Sequence, residues 1–176
     1  LGFRYSFFFR LGSGDKHVYD PVHNGSISSE KYGSGEVMDF QHNFEPRFSV
    51  NYTINKQNAV KFTYNRNAQY LRLMTNSMQL TWYDIWMPST SNIPSMTSDQ
   101  WALGYFLNLR KNTVQISVEG YFKHSNNVAD FEDGLHNYLV DNLEAYVGTG
   151  IVRAYGLEVM IKKTKGRLTG WLSYNL

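Results

Sequence analysis

Apolar and polar residues alternate along several stretches of the chain. In the first eleven residues one parity is entirely apolar, with Leu1, Phe3, Tyr5, Phe7, Phe9 and Leu11, and the other is mostly polar. A period of two predicts a β-strand with one apolar face. The pattern recurs at residues 44–54, 60–64, 101–109, 114–122, 155–161 and 168–176. The sequence therefore predicts an all-β protein of about seven strands, without a convincing helical pattern.

The connections between these stretches alternate in length. Only a few polar residues separate strands two and three, four and five, and six and seven, at 55–58, 110–113 and 163–167. Such short connections predict tight antiparallel hairpins. The other three connections are long and rich in Gly, Ser, Asn and Asp. In an up-and-down meander this alternation places the short turns at one end and the long loops at the other, as in a partial outer-membrane β-barrel.

Two interpretations of the apolar face remain open. In a soluble β-sandwich or barrel the face would pack into a shared core, and the long loops would form the recognition surface of a binding or adhesin module. Long loops are uncommon in compact domains, however, and aromatic side chains near the strand ends are typical of a membrane interface. These features favour the membrane interpretation.

The composition is unusually aromatic and lightly charged. Aromatic residues make up 16% and charged residues 18% of the chain, and the formal net charge is +2. The basic residues are scattered, so no nucleic-acid partner is expected. Mean hydropathy is −0.43 and no apolar run is long enough for a membrane helix, but a membrane strand needs only about 9–11 residues with one polar face. The N-terminal residues do not resemble a signal peptide, so we expect that a leader was removed or that the chain starts within a longer protein.

No catalytic constellation stands out. The five histidines are dispersed without a metal-ligand spacing, and the acidic cluster at 130–133 lacks the alternating ligands of a calcium loop. The sequence has no cysteine. We therefore expect no enzymatic activity, no metal and no cofactor.

Charged residues occupy the polar parity of the predicted strands. On this parity, opposite charges on neighbouring strands can pair across the ladder. They are expected to face the barrel interior, either as structural wall or in contact with a ligand or a plug domain. The residues are Arg4, Arg10, Glu45, Arg47, Lys61, Glu119, Lys123, Glu158 and Lys162.

Two further features are specific enough to test. Trp82, Tyr83, Asp84 and Trp86 lie together in a long connection, where aromatic rings can stack on a ligand; the alternative is that they pack within the loop. Pro46 falls inside a predicted strand. Because proline has no N–H to donate, we expect it at a bulge or at the start of a ladder.

Several motifs resemble the barrel of Bacteroidetes-type TonB-dependent receptors. The resemblance covers nearly the whole chain and is weakest at residues 11–41. Its motifs are FEPRFSVNY at 44–52, VKFTYNR at 60–66, QYL at 69–71, DIWMPS at 84–89, IP at 93–94, SDQ at 98–100, GY at 104–105, VEGYFK at 118–123 and AYGLE at 154–158.

The resemblance implies a bacterial outer-membrane protein. Members of this family have an N-terminal plug inside a 22-stranded barrel and take up siderophores, cobalamin, haem or glycans. Residues 1–176 would form a single segment of such a barrel, with the plug and the remaining strands outside it. The implied partners are membrane lipid, the plug and the rest of the barrel, and TonB through the plug. Isolated from these partners, the segment is expected to self-associate.

Overall fold

The computed structural model describes residues 1–20, 25–74, 85–110, 112–132 and 142–176. Within these ranges the chain forms eleven β-strands and a 3-10 helical turn at Leu143–Tyr146. The strands are β1 (Gly2–Leu11), β2 (Gly14–Tyr19), β3 (Ser26–Tyr32), β4 (Val37–Thr53), β5 (Asn58–Gln69), β6 (Leu71–Met74), β7 (Ile85–Pro88), β8 (Met96–Leu109), β9 (Val114–Phe131), β10 (Val147–Lys163) and β11 (Gly170–Asn175).

Seven of these strands form one antiparallel sheet in the order β1-β4-β5-β8-β9-β10-β11. Each strand pairs with the next strand of the sheet along the chain, which is an up-and-down meander. The sheet does not close on itself, so β1 and β11 are its edges. The predicted all-β fold and the seven-stranded meander are confirmed, and the open sheet is consistent with a partial barrel.

Several strands extend beyond the predicted ranges, at the end of the sheet that carries the long connections. β4 begins at Val37 rather than residue 44, β9 continues to Phe131 rather than residue 122, and β10 begins at Val147 rather than residue 155. Apolar alternation is interrupted in these extensions, for example by His42 in β4 and His124 in β9. Backbone pairing continues, for example between Arg10 and Asp39, because ladder hydrogen bonds do not require apolar side chains.

The three short connections form tight turns at the opposite end of the sheet. In the first, the Asn55 carboxamide oxygen accepts hydrogen bonds from the backbone N–H groups of Gln57 and Asn58, at 2.8 and 2.9 Å. This is the local hydrogen bonding that makes asparagine common in turns. In the third, Gly166 has φ of +112°, a conformation that glycine adopts without steric cost.

Two of the long connections contain small hairpins of their own. β2 and β3 pair within the connection from β1 to β4, and β6 and β7 pair within the connection from β5 to β8. The third long connection contains the 3-10 turn. Short and long connections therefore alternate as predicted.

The sheet has two chemically distinct faces. The register of the strands places their apolar positions on the same side of the sheet. We call this side the apolar face. It includes Phe3, Phe48, Phe62, Leu103, Val118, Leu157 and Leu172. The other side, the polar face, includes Arg4, Glu45, Lys61, Gly104, Glu119, Glu158 and Ser173. This continuity across seven strands follows from the side-chain period of two.

The apolar face is uncovered. Phe3 is 68% exposed and Leu103 is 57% exposed, and no second large sheet packs against them within the described residues. The buried apolar cluster lies elsewhere, at the end with the long connections. It consists of Met74, Met87, Ile93 and Phe131, with Leu143 and Tyr146 packed against it.

Candidate functional site

An aromatic row crosses the apolar face of five consecutive strands. Register places its members directly opposite one another: Phe48, Tyr64, Trp101, Phe122 and Tyr155. The ring centroids of Tyr64 and Trp101 are 5.5 Å apart, and those of Trp101 and Phe122 are 5.8 Å apart. These separations lie in the favourable range for aromatic pairs. The three central rings are therefore close enough to interact, and the register extends the row to Phe48 and Tyr155 at its ends.

A charged row lies directly beyond the aromatic row, toward the long connections. Two positions further along each strand, Arg66 is opposite Asp99, Asp99 is opposite His124, and His124 is opposite Arg153. Asp99 accepts a hydrogen bond from the Tyr64 hydroxyl at 2.7 Å, and its carboxylate lies 3.7 Å from Arg66 Nε. The apolar face of these strands is therefore interrupted by charged side chains at this level.

All the charged residues predicted to share a face do lie on the polar face. They occupy its parity on β1, β4, β5, β9 and β10: Arg4, Arg10, Glu45, Arg47, Lys61, Glu119, Lys123, Glu158 and Lys162. Cross-strand ion pairing joins Arg4 to Glu45, and Arg10 to Asp39 with 2.6 Å between Nε and Oδ2. Glu119, in contrast, lies opposite Glu158, so like charges face each other there.

Glu45 is the most completely buried of these charges. Its carboxylate accepts hydrogen bonds from the Arg4 guanidinium, with Nε at 3.0 Å, and from Ser6 Oγ at 2.5 Å. The backbone of Ala68 in β5 adds a favourable electrostatic interaction with the charged carboxylate. A buried carboxylate is tolerated when several donors replace its lost hydration. Glu45 therefore ties β1, β4 and β5 together through its side chain.

Pro46 lies where the pairing of β4 with β5 begins. The β4–β5 ladder starts at Arg47 paired with Asn65, directly after Pro46, whereas β5 itself continues to Gln69 against β8. Proline has no N–H to continue the ladder toward β5. Pro46 also pairs with Phe3 inside the β1–β4 ladder. The predicted position at the start of a ladder is confirmed on the β5 side.

Tyr70 directly follows β5, beyond the point at which β5 stops pairing with β4. Its ring stacks on Phe8 with centroids 5.6 Å apart and planes 9° apart, and its hydroxyl donates to the Ser6 carbonyl at 3.1 Å. Asn43 Nδ2 donates to the same hydroxyl at 3.0 Å. This contact accounts for Phe8, which is aromatic although it lies on the polar face.

Residues 89–95, here called the strap, lie across the polar face of β4. Gln41 donates to the Thr90 carbonyl at 2.6 Å and accepts from the Ser95 N–H at 2.7 Å. Asn43 donates to Ser95 Oγ at 2.8 Å, and Asp39 accepts from the Ser91 N–H at 3.0 Å. Every second residue of β4 from Asp39 to Asn43 thus holds the strap.

The other side of the strap is also fixed. Asn92 donates to the Glu144 carboxylate at 3.0 Å and to the His17 carbonyl at 2.9 Å, and Thr90 donates to the same carboxylate. The side chain of Ile93 is fully buried in the apolar cluster. The strap therefore joins the sheet, the β2–β3 hairpin and the 3-10 turn into one packed unit.

Arg72 attaches the β6–β7 hairpin to the strap. Its guanidinium is buried and donates to the Pro94 carbonyl. Two more of its nitrogens, Nε and Nη1, are buried without a hydrogen-bond partner among the described residues. Burial lowers the pKa of Arg72, because desolvation penalises the charged form.

The aromatic cluster predicted to contact a ligand is only partly visible. Trp82, Tyr83 and Asp84 lie outside the described residues. Trp86 lies in β7 and is 62% exposed, opposite Leu73 on the outward side of the hairpin. Its neighbour Met87 points into the buried cluster. Trp86 is therefore available for contact at the end with the long connections.

Sequence reasoning missed the strap and its partners. Gln41 and Asn43 carry no motif, and the QYL motif that contains Tyr70 does not indicate its contacts; their roles appear only once β4 and the long connection are brought together. The polar parity of Gln41 and Asn43, in register with Glu45, was the available signal. Asp39 was missed because the predicted strand started at residue 44.

The described residues contain no group of three or more acidic or histidine side chains placed to hold a metal ion. Among the same residues, no helix is long and apolar enough to cross a membrane. No family model, curated protein or solved structure matches the chain.

Proposed function

We propose that the chain is part of the wall and extracellular loops of a TonB-dependent outer-membrane receptor, which takes up a siderophore, cobalamin, haem or glycan. The observation that carries the proposal is the uncovered apolar face with its aromatic row and adjoining charged row. A transmembrane barrel has an outward apolar band bordered by aromatic girdles and a polar interior. The resemblance of the motifs at 44–52 and 84–89 supports this receptor family among barrels.

In this proposal the apolar face contacts lipid and the polar face lines the barrel. The edge strands β1 and β11 would pair with the remaining barrel strands of the parent chain, because unpaired backbone groups are costly in a membrane. The polar face would contact the plug, through which TonB supplies energy. The strap and the β6–β7 hairpin would lie at the extracellular mouth. No catalytic step is assigned to any residue.

Site-directed spin labelling tests the two faces directly. Because the sequence has no cysteine, a single introduced cysteine carries the label uniquely. Val50→Cys places it on the apolar face, and Ser49→Cys is the matched control at the adjacent, also exposed position on the polar face. With the protein in lipid vesicles, we expect oxygen to relax the label at position 50 and a water-soluble nickel complex not to reach it.

The alternative, a soluble sandwich module with recognition loops, predicts a different result. There the label at position 50 would be packed against another sheet and shielded from both relaxing agents. Strong relaxation by the nickel complex at position 50 would also contradict lipid contact. The label at position 49 should show no such preference for oxygen.

A further inference from the structure

Arg153 is an exposed cation on otherwise apolar surface. It lies on the apolar face of β10 next to Tyr155, which is 80% exposed, and near the exposed Ile151. Its side chain makes no ion pair with any of the described residues. In a membrane, a guanidinium at this position stays hydrated only if this part of the sheet lies at the depth of the lipid headgroups.

Arg66 places a second cation in the same row. Its Nε lies 3.7 Å from the Asp99 carboxylate, and the side chain is partly exposed. Nε itself is buried and has no hydrogen-bond partner among the described residues, so the ion pair does not satisfy this donor. Asp99 is further engaged by Tyr64 and only 14% exposed. Because Arg153 is exposed and the Arg66 side chain is more exposed than Asp99, the accessible charge of the row is mainly positive.

The spacing of the row suits an extended anionic ligand. Arg66 and Arg153 lie on β5 and β10 and are separated by three strand spacings, which is about 14 Å. His124 lies between them and offers ring nitrogens. The aromatic row beside it provides rings that anchor at the boundary between hydrocarbon and headgroups.

We propose that Arg66, His124 and Arg153 form a binding site for the headgroup of an anionic membrane lipid, with its acyl chains lying along the aromatic row. The inference rests on the proposed function, because it requires the apolar face to contact lipid. Guanidinium groups recognise phosphate through parallel N–H donors, and basic residues near a membrane surface favour anionic lipid. The charged row thereby adds lipid selectivity to a surface that would otherwise accept any acyl chain.

Photocrosslinking from position 155 reads out the lipid at this site. The photoreactive residue benzoylphenylalanine replaces Tyr155, and the protein is placed in vesicles that mix phosphatidylglycerol with phosphatidylcholine. Mass spectrometry then gives the ratio of the two lipids crosslinked. We expect phosphatidylglycerol to be enriched roughly fivefold over its fraction in the vesicle, as one favourable charge contact would give.

The variant Arg66→Gln/Arg153→Gln should return the crosslinked ratio to the composition of the vesicle, and Arg66→Lys/Arg153→Lys should retain part of the enrichment. The matched control is Arg110→Gln/Arg167→Gln, which removes the same charge at the end with the short turns and should leave the ratio unchanged. Lipid crosslinked in bulk proportion by the parent protein would overturn the site for an anionic headgroup and leave the proposed function standing. Absence of any lipid crosslink from position 155 would overturn both.

Discussion

The ring of Tyr121 lies over Gly156, its direct neighbour on the adjacent strand of the polar face. A Cβ atom added at Gly156 would come within 2.8 Å of a Tyr121 ring carbon and within 2.7 Å of the Leu176 carbonyl oxygen. That oxygen already accepts a hydrogen bond from the Leu157 N–H at 3.0 Å. The aromatic ring thus covers backbone that glycine leaves bare, a device that strengthens glycine-containing sheets.

Gly156→Ala should therefore lower the free energy of unfolding by about 1–3 kcal/mol, because the new methyl group displaces either the ring or the ladder. Gly148→Ala on the same strand is the control, since nothing lies within 4 Å of its added Cβ. Urea unfolding in lipid vesicles, followed by tryptophan fluorescence, compares the two. Equal stability of both variants would show that the close approach is not important.

The sequence predicts the strands of the sheet but not the strap that packs on its polar face. Alternation of apolar residues located all seven strands, because the central part of each carries apolar residues at most alternate positions. The sequence did not predict strand ends such as Val37 in β4 and Phe131 in β9, because backbone pairing there continues without regular alternation. The strap was not predicted for a different reason. The contacts of Gln41 with Thr90 and Ser95 join residues that are far apart in the sequence. No local pattern encodes such a contact.

Removal of the Glu45 carboxylate should destabilise the sheet locally. Glu45→Gln weakens the acceptor for Arg4, Ser6 and the Ala68 backbone, so we expect a loss of about 1–3 kcal/mol and faster hydrogen exchange at the Ala68 amide. Glu158→Gln, an exposed carboxylate on the same face, should change stability by no more than about 0.5 kcal/mol. Unchanged exchange at Ala68 would contradict the assigned contact.

Trp86 provides a test of the proposed ligand contact at the end with the long connections. Replacement of both Trp82 and Trp86 by alanine in the complete receptor should reduce uptake at limiting ligand by roughly threefold to tenfold, since an aromatic contact contributes about 0.5–1.5 kcal/mol beyond its buried area. Barrel assembly should be unaffected. Ile27→Ala is the control, because this residue is similarly exposed on the β2–β3 hairpin. Normal uptake by the double variant would assign the tryptophans to packing within the loop.

The 176-residue chain should associate when neither lipid nor detergent is present. Each large apolar side chain buried contributes about 1.5–3 kcal/mol, and the apolar face offers several on every full-length strand. The edges β1 and β11 also expose unpaired backbone groups to other copies. Size-exclusion chromatography with light scattering measures the outcome. A stable monomer in which Phe3, Phe7, Phe48, Val50, Leu103 and Leu107 stay exposed would contradict lipid contact by this face.

The meander also bears on the order in which the sheet assembles. β8 and β9 pair from Thr97 with Asn126 to Leu109 with Val114, and a turn of only a few residues closes this hairpin. The entropic cost of closing so short a loop is small, and pairing of chain neighbours favours rapid folding. β8–β9 is therefore suited to serve as a nucleus onto which β5 and β10 add. Strand pairs separated by the long connections, such as β1 with β4, would form later.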